Sequence, residues 1–390
     1  MKIIHLSYTE KGGAGIATQR LNSALNKIDG ISSQFISYDK VRQSSLFNRL
    51  YASWNWRVNE KILYKNFKAY RFWSPLSGFS YEQLKPFVMA ADIIHLHWIG
   101  RFVSYNALRS LSQIAPLVWT IHDRNPMMSI FHYALERQKY IDEIGQEERL
   151  LKLNNKKRDL VKAVPINRLT YVSPSKIYQG ELKQAEITKS YPSISIANGV
   201  PCDQFQPEKG EKDPSRKKVL LFNSIDIQNK YKGGQILIEA LSKLKNDYKI
   251  IMIGNGPELK LPFESLYTGY IEDPTSLSKY YASADLCLCP TLEDNFPNTI
   301  LESLACGIPV IGSNIGGVSE MVRPNITGDL FKVGDPIELA QKIEAWFKRS
   351  DLEKISRNCR DIAVKEYDTS IQAIAYVRLY RRIMEKNHEN

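Results

Sequence analysis

The feature that most constrains this 390-residue chain is a rhythm. Short apolar runs alternate with helical patterns, and the rhythm restarts after residue 200. KIIHLS (2–7) reads as a buried strand, followed by a Gly-rich turn and a helix over about Ile16 to Asn26. QFISY, DIIHLHW, LVWTIH and LTYVSP are further strand candidates. Then come KVLLFNS, YKIIMIG, DLCLCPT and PVIGS, with helices such as GGQILIEALSKL between them. Strands alternating with helices specify parallel sheets built from βαβ units. The restart predicts two such domains, 1–200 and 201–371. The polar, Pro-bearing stretch PCDQFQPEKGEKDPSRKK (201–218) reads as the linker. Ligands of open α/β sheets sit beyond the carboxyl ends of the strands, so two facing sheets would form a cleft there.

Composition narrows the class. The chain is 43% hydrophobic and 24% charged, as soluble globular proteins are. No apolar run approaches the roughly 18 residues that span a bilayer. The start, MKIIHLSYTEKGGAG, lacks an apolar core region and a cleavage site, so no signal peptide is expected. Five Cys with no C-x-x-C pair read as buried thiols in a reducing cytosol, and a cytoplasmic protein is expected. Residues 1–200 hold 28 Lys/Arg against 15 Asp/Glu, a balance of +13, and residues 201–390 hold 25 against 27, a balance of −2. The basic first half calls for an anionic partner.

The segment EDNFPNTILESLACG (293–307) carries the most chemistry. Pro297 suits the first position of a helix, because its missing N–H would be unpaired there. Gly307 suits the stop. A helix over about 297–306 follows, and its free N–H groups and partial positive charge suit a diphosphate. Asp294 precedes the helix. Glu302 lies on it and can accept bonds from a pair of hydroxyls. Read without further context, Asp294 is equally a helix cap and Glu302 a solvated helical acid.

The longer segment 285–320, DLCLCPTLEDNFPNTILESLACGIPVIGSNIGGVSE, resembles the donor-binding core of retaining glycosyltransferase family 4, whose fold is GT-B. That signature has two acids eight apart, then small-residue turns and G-G-x-x-E. Asp294 and Glu302 take the acidic positions, with Glu293 just ahead, and Gly316, Gly317 and Glu320 match the rest. The resemblance implies that Glu302 binds the nucleotide ribose and that Asp294 touches the donor sugar. It also implies that Phe296, Pro297 and the helix-start amides of Asn298, Thr299 and Ile300 line the pyrophosphate. Asp in place of Glu shortens the sugar-binding arm by one methylene.

Other motifs fall in with this resemblance. Lys232, in NKYKGG, matches the family's phosphate-binding Lys; a reaction with a phosphate leaving group needs a cation there. The Arg that accompanies it is replaced by Asn223 or Ser224, with Lys230 a possible substitute. Contacts to the base are expected from backbone around Gly254 and Tyr270. GGAGIAT (12–18) has Thr18 where a dinucleotide fingerprint needs its third Gly. Gly13 and Gly15 instead resemble the family's N-terminal glycine loop beside donor and acceptor. His122, ending LVWTIHD, resembles the family's His near the donor sugar. HDRNPMMSIFHY keeps His132 and Tyr133 of a polysaccharide-synthesis subgroup, with Ser129 and Ile130 in place of its Gly pair. His97 and His132 are expected to face the acceptor, and His5 reads as a strand histidine.

The expected protein is thus an α/β, two-Rossmann-domain GT-B enzyme, with a terminal helix over 372–390 returning to the first domain. Catalytic roles fall to His122, Lys232 and Asp294. The donor is a UDP- or GDP-sugar. The acceptor is a saccharide or polyprenyl-diphosphate-linked saccharide of surface-polysaccharide synthesis. No His/Cys/Asp set has zinc spacing and no D-x-D occurs, so neither a metal nor another cofactor is expected. Another GT-B activity, such as an epimerase or phosphorylase, or a non-catalytic saccharide-binding descendant, is the alternative. Finally, 46–73 holds six Lys/Arg (Arg49, Arg57, Lys61, Lys65, Lys68 and Arg71) and nine aromatics. That mixture suits either a helix lying on an anionic membrane or a helix packed on the first sheet; a nucleic-acid partner is not expected.

Overall fold

The computed structural model describes all residues except 60–66, 68, 69, 71, 209–212, 214, 259, 260, 262, 389 and 390. The chain divides into two compact units, Met1–Ala197 with Gln372–Asn390, and Asn198–Ile371.

The first unit holds β1 (Lys2–Ser7), β2 (Ser32–Ser37), β3 (Ile93–Leu96), β4 (Leu117–Thr120), β5 (Leu169–Ser173) and β6 (Ser193–Ser195). All neighbours are parallel, in the order β2-β1-β3-β4-β5-β6. The strands β1, β3, β4 and β5 are almost wholly buried because helices cover both faces. Ile4, Leu6, Ile94, Leu96 and Trp119 enter one buried cluster. Ile3, Ile93, Val118 and Val172 enter another. The Thr369–His388 helix closes that second cluster with Ala373, Tyr376, Val377, Tyr380 and Ile383.

The second unit holds β7 (Lys218–Asp226), β8 (Tyr248–Asn255), β9 (Glu264–Gly269), β10 (Leu286–Cys289), β11 (Val310–Ser313) and β12 (Gly328–Phe331), again all parallel, in the order β12-β11-β10-β7-β8-β9. In each sheet the winding reverses once, between β1 and β3 in the first and between β7 and β10 in the second. Loops leaving adjacent strands diverge at such a switch point and open a crevice for a ligand.

Several expectations are corrected. The first helix is Gly12–Leu25, so GGAG forms its opening turn rather than a separate loop. The helix after β10 is Asn298–Ala305, and Pro297 is its N-cap with extended backbone, not its first helical residue. The strands β6, β9 and β12 are too short or too polar to stand out as apolar runs. The 201–218 stretch begins as part of the second unit. Cys202 and Phe205 are buried, and Arg360 donates to the carbonyls of Cys202 (2.9 Å) and Phe205 (2.7 Å). Among the described residues of the 46–73 segment an α-helix covers Leu46–Val58, and Phe67, Tyr70 and Trp73 are buried against Phe131 and Tyr140. Lys61, Lys65, Lys68 and Arg71 lie outside the described residues. All five Cys are free and buried. Among the described residues no helix is long and apolar enough to cross a membrane.

Candidate active site

In the second unit the switch point is built from two loops tied to each other. The turn after β7 ends in a short 3-10 helix, Lys230–Lys232, and the loop after β10 passes beside it. Thr291 Oγ1 and the Leu292 N–H both donate to the Tyr231 carbonyl, each at 2.8 Å. This tie brings Lys232 Nζ into an ion pair with Asp294 Oδ2. Asp294 is mostly buried, and Lys232 is about one-third exposed, at 33%. Asp294 leads through Pro297 into the Asn298–Ala305 helix, whose Ile300 N–H donates to the Pro297 carbonyl at 3.1 Å, so the Lys232 cation sits on the loop that opens this helix.

The loop keeps its course because of a close approach. A Cβ on Gly317 would lie 1.7 Å from the Asn295 carbonyl oxygen, so only glycine lets the two segments touch. Phe296 is buried with its ring edge-on to Tyr367 at 5.9 Å. Glu302 is buried one turn further along, not solvated. Its Oε2 accepts from the Tyr281 hydroxyl at 2.9 Å, and that hydroxyl accepts from Asn223 Nδ2 at 2.9 Å. Burial, and then the carboxylate beside it, push the Tyr281 phenol well above its ordinary range, so it remains a donor to Glu302. Gly254, the penultimate residue of β8, lies beside the Ser224 carbonyl, and Tyr270 follows β9. Asn223, Lys232, Asp294, Phe296, the residues 297–300 and Glu302 thus gather at one strand edge. Tyr281 is part of that assembly and has no signal in the sequence beyond a helical aromatic.

The first unit carries the other candidates at the ends of β1, β3 and β4. Gly13 and Gly15 lie in the opening turn of the first helix; a Cβ on Gly15 would meet the Thr9 carbonyl oxygen at 2.5 Å. His122 follows β4 and is half-buried. Its Nε2 lies 3.1 Å from Nδ1 of His97, whose Nε2 lies 2.9 Å from Nδ1 of His5. Burial lowers the His122 imidazole to about 4, with Asp123 partly opposing, and lowers His5 to about 3. Burial followed by the neighbouring rings pushes His97 well below the ordinary value too.

The two histidines expected to face the acceptor, His97 and His132, are both buried. His97 is buried with both ring nitrogens engaged. His132 is also buried; its Nε2 meets Ser74 Oγ at 2.7 Å and its Nδ1 meets Asp123 Oδ2 at 2.6 Å. Burial would raise the Asp123 carboxyl, but His132, the Asn125 N–H and the Trp98 indole hold it below its ordinary value. Lys157, fully buried, donates to the Asn125 and Met128 carbonyls and fixes the same loop. Burial lowers its ammonium well below the usual range, with Asp123 opposing. Nothing in the sequence distinguishes Lys157 from its basic neighbours.

The fold also gathers three histidines that no sequence spacing joins. One ring nitrogen from each of His5, His95 and His97 lies within 4.8 Å of the other two, which is close enough for a cation. Each nitrogen already has a hydrogen-bond partner, since His95 engages Tyr380 and Thr120 at 2.7 Å each. A metal would have to displace those bonds.

Comparison with known proteins bears on the fold and the family. Residues 216–349 match the family described as glycosyl transferases group 1. N-acetyl-alpha-D-glucosaminyl L-malate synthase of Bacillus anthracis is 22% identical over 313 residues, covering 75% of each chain. Sucrose-phosphate synthase from Thermosynechococcus elongatus superposes with a TM-score of 0.70 at 17% identity, covering 99% of each chain. The chain is a GT-B glycosyltransferase. Among other relatives of this glycosyltransferase, Protein CapJ of Staphylococcus aureus is 29% identical, over 40% of this chain and 44% of CapJ. HepE of Anabaena, solved in complex with UDP-glucose, shares the fold with a TM-score of 0.62 at 18% identity and full coverage of both chains.

Proposed function

We propose that this glycosyltransferase moves a sugar from a nucleotide sugar to a hydroxyl of a saccharide or lipid-linked saccharide, with retention at the anomeric carbon, in surface-polysaccharide synthesis. The observation that carries the reading is the Lys232–Asp294 pair beside the start of the Asn298–Ala305 helix. An arriving diphosphate competes with Asp294 for Lys232. The lysine and the helix-start N–H groups then stabilise the leaving diphosphate. Asp294, released, accepts from a hydroxyl of the donor sugar, while Glu302, held by Tyr281, accepts from the ribose. Lys232 and the helix-start N–H groups supply positive charge where the leaving oxygens develop negative charge, and the reaction is proposed to need no metal and no other cofactor. No side-chain nucleophile is invoked. The departing phosphate takes the acceptor's proton as the acceptor attacks from the same face.

The donor is proposed as a UDP- or GDP-sugar, in line with the UDP-glucose bound by HepE. The acceptor is placed on the basic first unit. A cavity there is lined by Tyr8, Tyr38, Trp56, Trp73 and Arg101, and aromatic faces with one guanidinium suit a saccharide carrying a diphosphate. A polyprenyl-linked acceptor fits the Campylobacter jejuni relative, an N,N'-diacetylbacillosaminyl-diphospho-undecaprenol alpha-1,3-N-acetylgalactosaminyltransferase, 24% identical over 48% of this chain. The Leu46–Val58 helix exposes Leu46, Leu50 and Trp54 at four-residue spacing, with Phe47 and Trp56 and the exposed Arg49 and Arg57. It is proposed to rest on the anionic inner face of the cytoplasmic membrane.

Thermal-shift screening against UDP-, GDP- and ADP-sugars should single out one nucleotide. Release of its nucleoside diphosphate should then be abolished in Glu302→Ala and Lys232→Ala. Release of no nucleoside diphosphate from any donor refutes the proposal. Sedimentation should show binding to anionic but not neutral vesicles; equal binding to both refutes the membrane contact.

A further inference from the structure

The histidines of the first unit lie in a line. Ser33 of β2 has its Oγ 2.9 Å from Nε2 of His5 in β1. His5 Nδ1 meets His97 Nε2 at 2.9 Å, and His97 Nδ1 meets His122 Nε2 at 3.1 Å. Among the described residues nothing hydrogen-bonds His122 Nδ1, and His122 is the member of the line that is half-open to solvent.

The direction of this line is decided at its buried end. A serine hydroxyl has one proton, and Ser33 donates it to Asn22 Oδ1 at 2.8 Å. Ser33 Oγ is therefore an acceptor toward His5, and His5 carries its proton on Nε2. A neutral imidazole has one N–H, so His5 Nδ1 accepts, and His97 must donate from Nε2. By the same rule His97 Nδ1 accepts, and His122 must donate from Nε2. Burial keeps the rings neutral, as the lowered values of His5 and His122 show, so a second proton does not break the sequence. His95 packs on the same rings, 4.9 Å from His5 and 4.1 Å from His97, but is saturated by Thr120 and Tyr380 and takes no part.

We propose that Asn22, Ser33, His5 and His97 form a one-directional hydrogen-bond relay that fixes His122 as the Nε2–H tautomer and presents its Nδ1 lone pair to a substrate hydroxyl. Ser33, His5 and His97 are positioning residues that act through His122. The tautomer is a property of this unit alone. Its use toward a sugar or acceptor hydroxyl rests on the function proposed above. The opposite tautomer would offer an N–H at the same place and reject a hydroxyl that must donate.

The test is imidazole nitrogen NMR on the full chain with 15N-labelled histidine, at neutral pH, the His122 signals being assigned with His122→Asn. The expected wild-type pattern for His122 is an unprotonated Nδ1 and a protonated Nε2. Ser33→Ala removes the terminal acceptor and leaves a buried His5 N–H without a partner. Reversing all three tautomers removes that orphan donor, so His122 should gain Nδ1–H. Ser33→Thr keeps the hydroxyl and should restore the wild-type pattern, which separates loss of the relay from misfolding. With a donor in hand, Ser33→Ala should lower kcat about tenfold, the scale at which partners that orient a working imidazole act. A wild-type His122 protonated at Nδ1, or a Ser33→Ala protein whose His122 tautomer does not change, overturns the relay. Because the spectrum needs no turnover, that result is distinct from a failure to transfer sugar.

Discussion

Lowering the pH from 7 to 5 should unfold the first unit far more readily than a protein of this composition would suggest. Four histidines, His5, His95, His97 and His122, are held neutral by burial; His5 sits at about 3, His122 at about 4, and the other two well below their ordinary value. In the unfolded chain each returns to about 6.5. Their folded values are depressed, so the unfolded state binds more protons at any pH between those limits, and stability falls as pH drops. The effect is absent above about pH 7 and grows from about 6.5 downward. Each histidine contributes about 1.4 kcal/mol per pH unit in that window. Four together give a slope of about 5 kcal/mol per unit near pH 5.5, and a loss on the order of 8 kcal/mol between pH 7 and pH 5. That rivals the whole stability of a typical domain, about 5–15 kcal/mol. Urea unfolding followed by tryptophan fluorescence reads this unit, since Trp54, Trp56, Trp73, Trp98 and Trp119 lie in it and only Trp346 lies in the other. His95→Gln should flatten the slope by about one proton. A slope below one proton between pH 5 and 6.5 would refute the reasoning.

Three further outcomes are expected. Tyr281→Phe strips the hydroxyl that joins Asn223 to Glu302 and should weaken nucleoside diphosphate binding by about 1–3 kcal/mol, read by titration calorimetry. Asp294→Asn frees Lys232 from its ion pair, so nucleoside diphosphate should bind more tightly while sugar transfer falls; a parallel loss of both contradicts the competition between Asp294 and phosphate. Lys157→Met leaves the Met128 carbonyl without the Lys157 donor and the Asn125 carbonyl with only the Met128 N–H, and should cost about 2 kcal/mol in urea unfolding, with no change in the second unit.

The elements were legible where one short window decides them. KIIHLS and DLCLCPT each centre on a short apolar run because both faces of a parallel strand are covered, and β1 and β10 lie within them. Glu264–Gly269 and Gly328–Phe331 were not legible, because the partly exposed strands β9 and β12 at the edges of the second sheet carry mixed residues. The same division holds at the site. Pro297, Asp294 and Glu302 announce a helix start with two acids, since capping and spacing are local chemistry.

The sequence by itself determined the two βαβ series, the ends at which loops carry polar residues, and the carboxylates and lysine found there. Only the tertiary structure decided that Lys232 meets Asp294, that Tyr281 holds Glu302, and that Ser33, His5, His97 and His122 fall into line. The reason is range. Helix and strand patterns are written over neighbouring residues, whereas these contacts join positions 21 to 92 apart through the register of parallel strands and the course of their loops. Parallel pairing sets that register through the packing of a whole sheet, which no short stretch encodes.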